Sequence, residues 1–159
     1  MFARSGTSPP LSAARRASAA ATSRSTPGIC RRAWDGPYAV RANIQLDGER
    51  GVFRATLCRC GASRNKPFCD GSHNQVKFTA SGEPSSGKTD MLAVRDGVLA
   101  IDPETDGPLR VRGNLEITSG TGRVVARVTQ ARLCRCGGSG NKPFCDGTHA
   151  KIGFRSSAT

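Results

Sequence analysis

Short runs of alternating hydrophobic and polar residues recur along this chain of 159 residues. The segments VRANIQL (40–46) and VRGNLEI (111–117) alternate with a period of two, which is the pattern of a strand with one buried face. VFRATL (52–57) and VVARVTQARL (124–133) have strand-forming residues and lead directly into cysteine-rich loops. Gly, Pro and Ser cluster between these runs and favour turns. The pattern predicts a small, mostly β fold.

The strand pattern occurs twice because the sequence contains an internal duplication. Residues 55–73 and 131–149 match at 15 of 19 positions, at an offset of 76. GPYAVRANIQL (36–46) resembles GPLRVRGNLEI (107–117) at an offset of 71, so the second copy carries five extra residues. We expect a glycine-containing hairpin loop to hold this insertion. Two pseudo-symmetric units that share one β core are therefore expected, each with a cysteine loop and a short helix.

The duplication also sets the domain boundaries. The first unit covers residues 35–80 and the second covers residues 107–156, and each is expected to end in a short strand after its histidine. Residues 81–106 between them begin as a Gly/Ser-rich linker. They continue as a small hairpin, in which MLAV and VLAI flank an Arg-Asp-Gly turn at 95–97.

The first 34 residues differ from the rest in composition. They are rich in Ala and Ser and contain six arginines but no acidic residue, which predicts a disordered or targeting extension. Cys30 in this segment is expected to be an incidental free thiol. The composition keeps a mitochondrial matrix location possible.

Charge and hydropathy argue against two classes of partner. The formal net charge is +12, but half of the excess lies in residues 1–34, so the body of the chain has no concentrated basic surface of the kind that binds nucleic acid. The most apolar stretch, LAVRDGVLAI (92–101), is interrupted by two charges and is too short to span a bilayer. Neither nucleic acid nor a membrane is expected as a partner.

Six of the seven cysteines and both histidines lie in two copies of the pattern C-x-C-x8-C-x3-H. Cys58 and Cys60 are two residues apart, so on an extended backbone both side chains point the same way and can reach one metal. Cys69 and His73 are four residues apart, so on a helical turn they share a face and can hold a second metal. The second copy repeats this design in Cys134, Cys136, Cys145 and His149.

Three kinds of site use such residues. A disulfide framework is disfavoured, because it would leave an odd thiol in each copy and would not need a histidine in register. A structural zinc site with three cysteines and one histidine is chemically reasonable, although zinc-binding cysteine pairs are usually spaced by two to four residues. A [2Fe–2S] cluster has two irons that each need two protein ligands, which suits two separate pairs. The spacing favours the cluster and leaves zinc open.

The phrases CRCGASRNKPFCDGSH (58–73) and CRCGGSGNKPFCDGTH (134–149) resemble the signature of the CDGSH iron–sulfur domain family, C-x-C-x2-[S/T]-x3-P-x-C-D-G-[S/A/T]-H. Both copies satisfy every fixed position. The flanking repeats extend the resemblance over residues 36–156, and the two motifs in one chain are similar to the tandem class of that family.

The resemblance implies two [2Fe–2S] clusters, each held by three cysteines and one histidine. In the first copy Cys58 and Cys60 would bind one iron, and Cys69 and His73 the other. In the second copy the pairs would be Cys134 with Cys136 and Cys145 with His149.

The tandem class also implies a role and a setting. One chain supplies both halves, so a monomer is expected. We expect electron transfer, redox sensing or iron–sulfur cluster transfer to a redox or cluster-acceptor protein, without enzymatic activity. The alternative is a structural zinc-binding interaction module without redox activity. The resemblance favours a bacterial cytoplasm, with the mitochondrial matrix as the alternative.

Overall fold

The computed structural model describes residues 27–80 and 89–156, in which two similar units follow each other. The first unit contains strands β1 (Gly28–Arg32), β2 (Tyr38–Leu46) and β3 (Glu49–Leu57) and helix α1 (Ser72–Gln75). The second unit contains strands β4 (Val98–Pro103), β5 (Leu109–Thr118) and β6 (Val124–Leu133) and helix α2 (Thr148–Lys151). Neither of these two described helices has the length and apolar character that crossing a membrane requires.

Strands β1 and β4 join the two units. Strand β1 pairs antiparallel with β2 of its own unit and parallel with β5 of the other, and β4 pairs antiparallel with β5 and parallel with β2. On β2 the two strands share one edge, where β1 pairs with residues 38–41 and β4 with residues 43–46. Strands β1, β2, β4 and β5 thereby close into a ring. The expected mostly β fold with two pseudo-symmetric units is confirmed.

The hydrophobic core lies inside this ring. Alternate residues of β2 and β5 turn inward, because successive side chains of a strand point to opposite faces. The buried residues of these two strands include Tyr38, Val40, Ile44, Leu109, Val111, Leu115 and Ile117. They form one cluster with residues of the other four strands, so each unit buries its apolar side chains against the other.

The folded part begins earlier than the sequence predicts. The predicted boundary of the extension, residues 1–34, is wrong at its end, because Gly28–Arg32 forms β1. Residues 1–26 lie outside the described ranges. Strand β1 fills one half of the gap between β2 and β5, and β4 fills the other half. Cys30 occupies the position in β1 that Ile101 has in β4. It is a core residue with 1% exposure, not a thiol in a tail.

Burial should make Cys30 unreactive while the protein is folded. Desolvation raises the pKa of Cys30 to about 12, and the charges of Arg32 and Arg59 oppose this only in part. Because the thiolate is the nucleophile, we expect alkylation of Cys30 by iodoacetamide at pH 8 to be at least ~100-fold slower in the folded protein than in the unfolded chain. Mass spectrometry of the peptide containing Cys30 measures this ratio. Labelling at the unfolded rate would mean that β1 does not occupy its place in the ring.

Two further sequence predictions fail. Among the described residues, 91–94 form no strand, so the small hairpin is absent; β4 pairs with β2 and β5 instead. The residues after each histidine form no strand either, and Phe78 and Phe154 contact buried arginine side chains. The five-residue insertion does lie in the hairpin between β5 and β6, around the loop 119–123.

Candidate metal centres

Each cysteine loop begins where a hairpin strand ends. The end of β3 makes a bridge with Phe68, which turns the loop back along the strand. The Cys58 N–H donates to the Pro67 carbonyl at 2.8 Å, and the Cys69 N–H donates to the Thr56 carbonyl at 2.9 Å. The loop after β6 makes the corresponding contacts with the same geometry. The two arms of each loop are therefore held side by side, with one ligand pair on each arm.

The predicted ligands come together as two pairs in each loop. In the first loop the Sγ atoms of Cys58 and Cys60 are 3.9 Å apart, and Cys69 Sγ is 3.4 Å from His73 Nδ1. In the second loop the corresponding distances are 3.8 and 3.3 Å. Two sulfurs bound to one tetrahedral metal at about 2.3 Å lie roughly 3.8 Å apart, and a sulfur and a nitrogen roughly 3.6 Å. All four pairs have the spacing of two ligands on one metal.

The two pairs of a loop differ in their access to solvent. Cys58 and Cys134 are 1% and 2% exposed, because they follow directly after core strands. The pair formed by Cys69 and His73 is only half-buried, and so is its counterpart in the second loop. Cys60 and Cys136 are half-buried as well, so each site has an inner pair that contains one fully buried cysteine and an outer pair that contains none.

Backbone hydrogen bonds stabilise negative charge on the sulfur atoms of the candidate ligands. The N–H groups of Ala62 and Gly71 donate to the sulfurs of Cys60 and Cys69, both at 3.4 Å. The second loop repeats both bonds at 3.4 Å. The hydrogen bond between the two sulfurs also lowers the pKa of Cys58 to about 6 and raises the pKa of Cys60. One proton of the pair is thus lost easily, and a metal must displace the other.

Aspartates connect the arms of each loop at the surface. Asp70 accepts hydrogen bonds from the hydroxyl and the N–H of Ser72, at 2.7 and 3.0 Å, and from the N–H of Arg64 at 2.8 Å. These bonds hold the pKa of Asp70 well below its ordinary value, and the bond from the Ser72 hydroxyl has the largest effect. The pKa of Asp146 is depressed in the same way. A depressed carboxylate pKa gives stability that is present above the unfolded-state value of about 3.9 and is lost only in stronger acid. These aspartates therefore stay ionised at pH 5.

Other polar side chains of the loops also serve their structure. Ser63 is 1% exposed, donates to the Phe68 carbonyl at 2.6 Å and accepts from the Asn65 N–H at 3.1 Å. Lys66 donates to the Ser63 carbonyl at 2.6 Å. The second loop contains the same three bonds. These internal contacts therefore help to fix the shape of both loops.

Sequence reasoning missed the buried arginines between the first two ligands of each loop. Arg59 and Arg135 are 1% and 3% exposed. Arg135 donates to the carbonyls of Gly107 and Glu104, at 3.0 and 2.6 Å, and its guanidinium lies 5.5 Å from the centre of the Phe154 ring. The signal was present in the sequence, because arginine is the middle residue of C-x-C in both copies.

Arg135 brings positive charge close to the first site. Burial lowers the pKa of Arg135, whereas the negative charge of Cys58 in the other loop raises it. An arginine side chain stays protonated in proteins, so the guanidinium is a permanent cation beside the ligands. It offsets part of the negative charge that thiolates and a reduced cluster would add.

The two loops contact each other through a pair of glycines. A Cβ atom on Gly61 would lie 2.5 Å from the carbonyl oxygen of Cys136, and one on Gly137 would lie 2.6 Å from that of Cys60. Both glycines have positive φ, 81° and 79°, which other residues rarely adopt. The backbones of the two loops are thus in close contact beside the inner pairs of both sites.

Comparison with known proteins agrees with this geometry. A family model described as the iron-binding zinc finger of CDGSH type matches residues 35–74 and 106–150, more than half of the chain. A comparison with curated proteins found no match. The two matched ranges contain the hairpins β2–β3 and β5–β6, both loops and all eight candidate ligands. The chain therefore belongs to the CDGSH-type iron-binding zinc finger family, with two copies of the domain in tandem.

Proposed function

We propose that each loop binds one [2Fe–2S] cluster through three cysteines and one histidine. The observation that carries this proposal is the separation of the ligands into pairs. Within residues 27–80 and 89–156, no group of three or more Cys, His, Asp or Glu side chains is placed to hold a single ion. A single zinc would need its four ligands around one point, whereas a cluster presents two irons with two protein ligands each.

In this proposal the inner and outer pairs take different irons. Cys58 and Cys60 hold the inner iron of the first site, and Cys69 and His73 hold the outer one. Cys134 with Cys136 and Cys145 with His149 do the same in the second site. A bound cluster supplies one-electron oxidation and reduction. The buried Arg135, the N–H groups directed at sulfur and the neutral imidazole all favour the more negative, reduced state.

The protein then acts in electron transfer, redox sensing or cluster transfer, as a carrier rather than an enzyme. The half-buried outer pair supports this role, because His73 or His149 can receive protons from solvent and lies within reach of a partner protein that exchanges electrons. The engagement of Ser63 and Lys66 in loop structure also fits a carrier. The partner is a redox or cluster-acceptor protein. A monomer is supported by the ring of strands, which needs both units and finds them in one chain.

The visible absorbance spectrum of the purified protein tests the proposal. At pH 8 we expect a coloured protein with equal amounts of iron and acid-labile sulfide and two irons for each site. At pH 5 we expect most of this absorbance to bleach, because protons compete with iron for the imidazole nitrogen. A colourless protein that contains zinc would contradict the proposal and favour the structural zinc module.

A further inference from the structure

Tyr38 links the first unit to the second metal site. Its side chain is 0% exposed, and its hydroxyl donates to the carbonyls of Cys134, at 2.9 Å, and Pro143, at 3.2 Å. Cys134 is a ligand on one arm of the second loop, and Pro143 lies on the other arm, two residues before the ligand Cys145. The Cys134 N–H also donates to the Pro143 carbonyl at 2.8 Å. The hydroxyl therefore lies where the two arms meet.

In the second unit a leucine stands at the place of Tyr38. Leu109 has the same place in the second unit as Tyr38 has in the first: Tyr38 pairs with Arg32 and Leu57, and Leu109 pairs with the corresponding residues of β4 and β6. A leucine side chain cannot donate a hydrogen bond to the first loop. The Cys58 N–H keeps its bond to the Pro67 carbonyl at 2.8 Å, but Leu109 cannot supply the bond that Tyr38 adds to the second loop.

The two loops otherwise match closely. The ligand distances differ by 0.1 Å between them. The bonds of Ser63 and Lys66 recur at their counterparts, and so do the two N–H bonds to Asp70. The contact of Tyr38 is thus a specific difference between two nearly identical sites.

We propose that Tyr38 is a positioning residue that clamps the arms of the second loop, so that the second site retains its cluster longer than the first. The inference rests on the proposed loading of both sites. A cluster leaves when the inner and outer pairs move apart, and in the second loop this movement must also break the tyrosine bond. The freed carbonyls are buried and do not regain a partner from water at once, so breaking the bond is costly.

The rate at which the loaded protein releases iron to an excess of chelator tests this proposal. The loss of visible absorbance measures this rate. We expect two phases in the unsubstituted protein. Two reference chains assign them: Cys58→Ser with Cys60→Ser leaves only the second site, and Cys134→Ser with Cys136→Ser leaves only the first. Tyr38→Phe keeps the ring and its stacking on Arg59. It should speed release from the second site about three- to tenfold and leave the first unchanged.

A second measurement separates positioning from general packing. Hydrogen exchange of the full-length protein as purified, read by mass spectrometry, compares the peptides covering residues 134–145 and 58–69. Tyr38→Phe should increase exchange in the first of these peptides alone. Equal acceleration of release at both sites, or equal exchange in both peptides, would overturn the clamp. An unsubstituted protein without visible absorbance would contradict the proposed cluster binding instead, and the exchange comparison would still decide the role of Tyr38.

Discussion

Replacing Gly61 by alanine is expected to empty both metal sites, although the substitution lies in the first loop alone. The added Cβ would be 2.5 Å from the carbonyl oxygen of Cys136 and 2.9 Å from its carbonyl carbon. Real Cβ atoms do not approach a backbone so closely, so one of the two loops must move. Cys136 is a candidate ligand of the second site, and Gly61 follows Cys60 of the first. A shift at this contact therefore displaces the inner pairs of both sites together.

The chain offers a matched control for the backbone strain. Gly48 has φ of 84°, close to the 81° of Gly61, but a Cβ at Gly48 would meet nothing within 4 Å. Gly48→Ala should therefore show only the cost of a positive φ, about 1–2 kcal/mol. Gly61→Ala adds the clash and should cost about 3 kcal/mol or more, or a fall of roughly 10 °C in melting temperature.

Iron content per chain and the visible spectrum, measured for both variants, decide the question. We expect Gly61→Ala to hold less than about half of the iron that Gly48→Ala holds, because a displaced chelate pair loses most of its affinity. To observe one site at a time, the same substitution is made in chains that lack the inner cysteines of the other site. The loss of iron should appear at both sites. A loss confined to the first site, or the same iron content in both variants, would show that the loops are independent.

Local spacing predicted the candidate sites because their geometry is local. The predicted pairing holds although the elements differ from the expected ones: Cys58 and Cys60 lie just after β3, and Cys69 precedes α1, which contains His73. The repeat then supplied the second copy and the pseudo-symmetry. Both arguments need only neighbouring residues, and all four pairs lie at chelating distances.

The contacts that the sequence did not reveal are those between distant residues. Strand β1 has only two apolar residues. It is stabilised by pairing with β2 and β5, and the local sequence pattern does not show this pairing. Tyr38 reaches Cys134 across 96 positions of the sequence, and Gly61 meets Cys136 across the boundary between the units. The burial of Arg59 likewise depends on an acceptor and aromatic rings from elsewhere in the fold.

Replacing both histidine ligands by cysteine is expected to give clusters that survive at pH 5. Histidine is the side chain that ordinarily gains its charge between pH 5 and 8, and a protonated imidazole cannot hold iron. The aspartates of the loops cannot account for release at pH 5, because their depressed pKa values keep them ionised there. The variant His73→Cys with His149→Cys should therefore keep most of its visible absorbance at pH 5, where we expect the unsubstituted protein to bleach.

The same variant should be harder to reduce. A thiolate adds a negative charge where imidazole is neutral, so the reduction potential should fall by on the order of 100 mV, toward the about −400 mV of all-cysteine plant-type clusters. Single variants give the control: His73→Cys should protect only the first site from acid, and about half of the absorbance should still bleach. Direct electrochemistry measures the potential, and a pH series of spectra measures the release. An acid-release curve that matches the unsubstituted protein would assign proton sensitivity to a group other than the imidazole ligands.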